Sequence, residues 1–210
     1  MTRNWRSFAA CALVVALSFG AFSAATHGFV AVTSDGLRRA RLASAPRELP
    51  DIPLVDSTGA TLSLRAYAQP GAAVTFVSLV YVRCNSICLT SAGSQSWLQD
   101  EILARGMEGR ARLLTLSFDP ASDTPPVLSA YAKRFAAKPD LWRVATVRET
   151  ADLKRMLDLF GIVVLPDGRG GYTHNAALFV IGGDGRLEGA YDSDRPDIAL
   201  ANYVHRLGGP

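Results

Sequence analysis

Cys84 and Cys88 stand four positions apart in "LVYVRCNSICLTSAGSQSWLQDEI", residues 79–102. They lie between a run of β-branched residues and a segment that reads as an amphipathic helix. Three chemistries suit such a pair: a structural disulfide, a reversible dithiol, or two thiolate ligands for a soft metal. A cysteine at a helix N-terminus faces unsatisfied backbone N–H groups and the positive end of the helix dipole. Both favour the thiolate over the thiol, so a reactive pair is expected here. The thioredoxin redox motif separates its cysteines by two residues; "CNSIC" separates them by three. Residues i and i+4 lie on one helix face, one turn apart. Two sulfurs so placed converge in front of the helix end. They can grip a soft ion, and they can close a disulfide if the first cysteine sits in the loop.

Two thiolates seldom complete a metal site, and the chain has only three histidines, His27, His174 and His205. His27 falls in the N-terminal leader and His205 near the end of the last helical pattern. His174 lies in "GYTHNAALFVI", read as a hairpin strand. If that hairpin pairs beside the central strand, His174 approaches the cysteines; otherwise it is a surface or hydrogen-bonded residue. Two thiolates and one imidazole suit Cu(I), which accepts low coordination, whereas zinc wants a fourth ligand. Beyond the initiator the only methionines are Met107 and Met156, which excludes a methionine-based copper carrier.

The elements that must position these residues follow from hydrophobic periodicity. "IPLVDSTGATLSL" reads as a hairpin around a glycine-containing turn. "AAVTFVSLVYV" (72–82) lacks alternation, as a strand buried on both faces does. A helix is expected from about Ser86 to Ala104, then a second buried strand in "ARLLTLSF" (111–118). "PPVLSAYAKRFA" follows as a helix, with Asp123 or Thr124 before it; Asp123 is assigned to capping. Asp119, in "FDPASDTP", is a turn residue and a candidate neighbour of the site. "WRVATV" is a third strand and "ETADLKRMLDLFG" a helix closed by Gly161. "GYTHNAALFVIGGDGRLEGAY" reads as one hairpin turning at "GGDG", and "RPDIALANYVHRLG" as a last helix. Strand–helix units followed by a hairpin and a helix indicate an α/β layer structure. The cysteines, at the end of a central strand, make a thioredoxin-like fold with an N-terminal β-hairpin extension the natural candidate.

Of the 210 residues, 49% are hydrophobic and 20% charged, enough for one domain with a real core. Formal net charge is +3, and there is no basic stripe with interleaved aromatics, so nucleic acid is not expected as a partner. Arg3 and Arg6 precede an uncharged stretch from Ser7 to about Val32, the pattern of a membrane-targeting segment. Residues 1–32 are therefore read as a signal anchor or signal peptide. "SAA" at 23–25 offers a cleavage site, while an apolar run of roughly 18 residues or more can span a bilayer; an uncleaved anchor is favoured slightly. Cys11 is an apolar residue of that run. Residues 33–50 read as a tether and 51–210 as the folded domain, expected outside the cytoplasm, where dithiols tend to oxidise.

The strand leading into "CNSIC", then "LSFDPASDTPPVLSAYA", then "YTHNAALFVIGGDGRL", with the histidine some 85 residues after the second cysteine, resembles the Sco/SenC family over nearly all of Asp51 to Gly208. The resemblance implies a membrane-anchored, thioredoxin-fold copper chaperone, with its domain in the periplasm, that assists assembly of the copper centre of cytochrome c oxidase. It implies Cys84, Cys88 and His174 as ligands of Cu(I) or Cu(II). Asp119 matches the family's "DP" aspartate. The implied partners are the copper-bearing oxidase subunit or another copper acceptor, and a periplasmic thiol reductant. The family usually has proline after each cysteine and often aspartate before the histidine; here Asn85, Leu89 and Thr173 stand there. The competing reading is a thiol–disulfide oxidoreductase that uses Cys84 and Cys88 as a redox dithiol to reduce the cysteines of a copper acceptor. A peroxide-reducing or sensing protein of the same fold is a third. Fold alone does not separate them.

Overall fold

Val74–Val80 (β4) is buried at every residue, and Ala111–Ser117 (β5) at every residue but Arg112. Strands buried on both faces, carrying mostly aliphatic residues with a few small hydroxyls, suit the middle of a covered sheet. The computed structural model, which describes residues 2–26, 34–68, 71, 73–84 and 87–206, places them there. β4 and β5 pair in parallel, and β5 pairs in parallel with β6, Trp142–Val147. Helices Ile87–Ala104 (α3) and Pro125–Arg134 (α4) make the two crossovers. On α3, Leu98 and Ile102 are fully buried, and each contributes about 1.5–3 kcal/mol by leaving water.

The sheet is finished by antiparallel strands on both sides. Leu178–Ile181 (β9) pairs with β4, and Arg186–Tyr191 (β10) pairs with β9. Arg47–Glu48 (β1) adds to β10. On the other side, Pro53–Asp56 (β2) joins β6 and forms a hairpin with Thr61–Ser63 (β3). The order across the eight strands is β1-β10-β9-β4-β5-β6-β2-β3. Leu153–Phe160 (α5) ends at Gly161, which takes a left-handed φ of 65°, and Pro196–Arg206 (α6) is the last described element. The β9–β10 turn needs Gly185: its φ is +77°, and a Cβ there would meet the Ala68 carbonyl oxygen at 2.2 Å.

Two features differ from expectation. Upstream of the hairpin, where a tether is expected, Ser34–Ser44 forms a helix (α2) and Arg47–Glu48 a strand. The arginines of α2 are helix formers, and Asp35 in its first turn pairs with Arg38 at 2.8 Å. In addition, "GYTHNAALFVIGGDGRLEGAY" is not one hairpin. Tyr172–His174 (β8) leaves the main sheet and pairs with Val164–Pro166 (β7) in a separate two-stranded ribbon. Thr2–Ala25 (α1) is a helix whose Asn4–Ala25 portion is long and apolar enough to cross a membrane. The chain divides into two compact units, 1–44 and 45–210. His27, Asn85 and Ser86 lie outside the described residues.

Asp56 organises the β2–β3 turn. Its Oδ1 accepts from the Thr58 N–H (2.9 Å), the Thr58 hydroxyl (2.6 Å) and the Ala60 N–H (3.1 Å). Burial raises its pKa, but these bonds and the Arg143 guanidinium outweigh it, and the net shift is downward. A carboxyl depressed in the folded state contributes stability above its unfolded pKa and loses it as pH falls through the folded one. Asp56→Ala is therefore expected to cost about 1–3 kcal/mol at pH 7 by leaving donors unpaired. That cost should shrink near pH 3, as read from urea midpoints at both pH values. Equal midpoints at pH 7 would remove Asp56 from the stability of the hairpin.

Candidate metal centre

The cysteine loop is pinned from beneath. Past the end of β4, the Tyr81 carbonyl accepts the Cys84 N–H at 3.1 Å. The next N–H, of Val82, donates to Asp123 Oδ2 at 2.9 Å, and the Ser117 hydroxyl donates to the same oxygen at 2.5 Å. Asp123 is 0% exposed. It is not the cap expected from its place before "TPP": the N-cap of α4 is Thr124, which makes no side-chain capping bond. The reason lies in the turn before it. The Asp119 carbonyl accepts the N–H groups of both Ser122 and Asp123, which folds Asp123 back under the ends of β4 and β5, where two donors need an acceptor. Burial raises its pKa, against the pull of Ser117 and Val82. Asp119 acts from the other side, binding Arg83, the neighbour of Cys84, at 3.2 Å, while Arg83 also donates to Ser122 Oγ at 3.0 Å. The "FDPASD" stretch thus holds residues 82 and 83 and sets where Cys84 stands.

Cys84 is 4% exposed in the loop, and Cys88 is 3% exposed in the first turn of α3; both are thiols in this structure. Burial pushes the Cys88 thiol far above the ordinary range, and the adjacent Cys84 adds to the shift. Desolvation of the covered sulfur opposes the thiolate stabilisation expected from the helix N-terminus, so a negative charge there calls for a cation beside it.

His174 reaches the pair from the ribbon. Its Nε2 is 3.4 Å from Cys88 Sγ, and its Nδ1 is 2.9 Å from the Asn175 carbonyl oxygen. A carbonyl only accepts, so this bond places the proton on Nδ1 and leaves the Nε2 lone pair facing the sulfur. Burial lowers the His174 pKa, which favours the neutral imidazole a metal requires. The ring stands edge-on to Phe118 (centroids 4.8 Å) and Tyr81 (6.2 Å). Tyr81 in turn packs on Tyr172 and accepts its N–H at 3.3 Å. Asn175 fastens the ribbon to the end of α5. Its Oδ1 accepts the Val163 N–H at 2.7 Å, and its Nδ2 donates to the Gly161 carbonyl at 3.1 Å.

The ligand atoms of Cys84, Cys88 and His174 all lie within 4.8 Å of one another. Donors about 2.0–2.3 Å from a central ion stand roughly 3.5–4 Å apart in a trigonal arrangement, so the three need only small adjustments to share one. No other group of three such side chains meets this way among the described residues. His205 is in the last turn of α6, and Asp119 is not in the cluster. Sequence reasoning missed Tyr81, Phe118, Asn175 and the inward turn of Asp123. Tyr81 and Phe118 follow buried strands directly, a signal that could have marked them; nothing in the spacing marks Asn175.

Fold and site together define a thioredoxin-like protein with two sulfurs and one imidazole placed to hold a soft metal. The family model for SCO1/SenC matches residues 44–208, and the chain belongs to that family. The SCO1 protein homolog of Bacillus subtilis (strain 168) is 22% identical over 116 residues, 54% of this chain and 59% of that relative. The chain thus spans about three fifths of that relative's length. Among solved structures, copper-bound yeast Sco1 is similar with a TM-score of 0.62 and 17% identity, over 79% of this chain and 91% of that one. BsSco, described with a disulfide switch and as a member of the Sco family of cytochrome c oxidase assembly proteins, has a TM-score of 0.64 and 21% identity, over 75% and 92%.

Proposed function

We propose that this protein carries copper as cargo on Cys84, Cys88 and His174. It hands the ion by ligand exchange to a copper acceptor, the copper-bearing subunit of cytochrome c oxidase, on the periplasmic side of the membrane. The observation that carries the reading is the His174 Nε2 lone pair turned towards Cys88 Sγ, with all three ligand atoms within 4.8 Å. A dithiol that only exchanged electrons would need no imidazole fixed in that tautomer. Copper supplies the positive charge that the buried Cys88 sulfur lacks, and loading displaces its proton. Two soft sulfurs with one nitrogen suit Cu(I), and the nitrogen allows Cu(II). Membership in the family and the copper-bound yeast Sco1 support the choice of metal, the description of BsSco supports the acceptor, and α1 supports a membrane tether.

The closeness of the two sulfurs also favours a second reading. Cys84 and Cys88 would close a disulfide, giving two electrons and two protons to an oxidised dithiol in an acceptor protein. A periplasmic thiol reductant would then restore the pair.

The test is metal analysis of the full chain in detergent, reduced and then oxidised. The reduced protein should retain one copper per chain through desalting, and the oxidised protein essentially none, because a disulfide removes both thiolate donors. Equal retention in the two states would sink the cysteine-based site.

A further inference from the structure

The other end of the sheet holds a cavity. Cys84 follows the C-terminal end of β4, whereas Arg112 and Leu113 open β5, and Leu141 and Arg143 flank the start of β6. There a cavity of about 290 Å³ is lined by these four residues together with Leu62 and Tyr67. Tyr67 is 7% exposed, yet no hydrogen bond to its hydroxyl occurs among the described residues. Both guanidiniums are close enough to act on that hydroxyl electrostatically, though burial dominates and keeps the phenol protonated, a donor. Among the described residues Arg112 makes no ion pair, and Arg143 makes a long one, 3.8 Å to Asp56 Oδ2. Asp140, also on the lining, offsets one of the two positive charges, leaving one net positive charge on a pocket of mixed polar and apolar lining.

We infer that this cavity binds a small organic carboxylate, held by Arg112, Arg143 and the Tyr67 hydroxyl, with its carbon chain against Leu62, Leu113 and Leu141. Two guanidiniums that only donate, with a phenol able to donate beside them, select an anion. The leucines select among anions. A carboxylate carries its oxygens at one end and carbon at the other, whereas a phosphate presents oxygens all round, and some would face leucine without a partner. The volume is at the small end of ligand pockets and suits a short aliphatic acid.

The probes are butyrate and inorganic phosphate, titrated into the full chain in detergent and followed by calorimetry. Saturable butyrate binding, tighter than phosphate, is expected. Arg112→Gln should weaken it about 10-fold or more, the usual loss for a hydrogen bond to a charged group, and Tyr67→Phe about 3–10-fold. Arg112 is exposed, so its variant should keep the wild-type melting temperature, which is measured alongside. Absence of saturable butyrate binding would overturn the inference. So would equal binding by Arg112→Gln at an unchanged melting temperature, or tighter binding of phosphate than of butyrate.

Discussion

Cys88→Ala should abolish stable copper retention, and Cys84→Ala should do nearly the same. Each removes one of two sulfurs and leaves an ion held by one thiolate and one imidazole. Loss of a residue that merely orients a ligand typically costs 10–100-fold in metal affinity, so loss of a ligand should cost at least about 100-fold. Affinity is measured by competition with a Cu(I) chelator under reducing conditions. Both cysteines are buried, so a melting curve is needed to separate loss of the site from loss of the fold. Truncating so small a side chain removes little packing, and the fold should survive. Copper retention by Cys88→Ala within tenfold of the parent would mean that the metal sits elsewhere.

His174→Ala should separate the two readings of the site. Without the imidazole the two sulfurs are left as a two-coordinate site, and Cu(II), which favours nitrogen and higher coordination, should suffer most. A loss of at least about 10–100-fold in Cu(II) affinity is expected. Thiol–disulfide exchange uses only the sulfurs, so the rate at which an external dithiol reduces the Cys84–Cys88 disulfide should change little. Cu(II) affinity and reduction rate are compared in the same variant. Unchanged copper binding with unchanged exchange would leave His174 as a half-buried partner of Cys88 and Asn175. A large fall in exchange rate would show that the imidazole serves the dithiol itself.

The parallel core strands and their helices were legible because their signals are local. A strand-length run dense in β-branched and aliphatic residues, a proline in a first helical turn and a glycine after a last one each act within a few residues. That is why β4, β5, α4 and the end of α5 fall where periodicity puts them, and why the thioredoxin-like arrangement follows from their order. The types of the chemical groups were equally plain: with two cysteines outside the leader and so few histidines, the candidate set was small. The relations among those groups were not local. Whether His174 belonged to the sheet hairpin or to a ribbon of its own depended on β7, whose three residues, Val164–Pro166, carry too few periods to be read. The tautomer that aims Nε2 depended on the Asn175 carbonyl, whose position depends on the α5 terminus 14 residues earlier.

Asp123 and Cys88 show the same limit from opposite sides. Local rules made Asp123 a cap and Cys88 an ionised thiol, and both rules concern groups at the solvated end of a helix. Here both side chains are buried. Asp123 turns inward because Val82, 41 residues away, and Ser117 leave it two donors to satisfy. The Cys88 thiol is pushed upward because the fold removes water from its sulfur. Short-range sterics and hydrophobic periodicity are written along the chain. Desolvation, and the pairing of buried donors with acceptors, exist only once distant segments have been brought together.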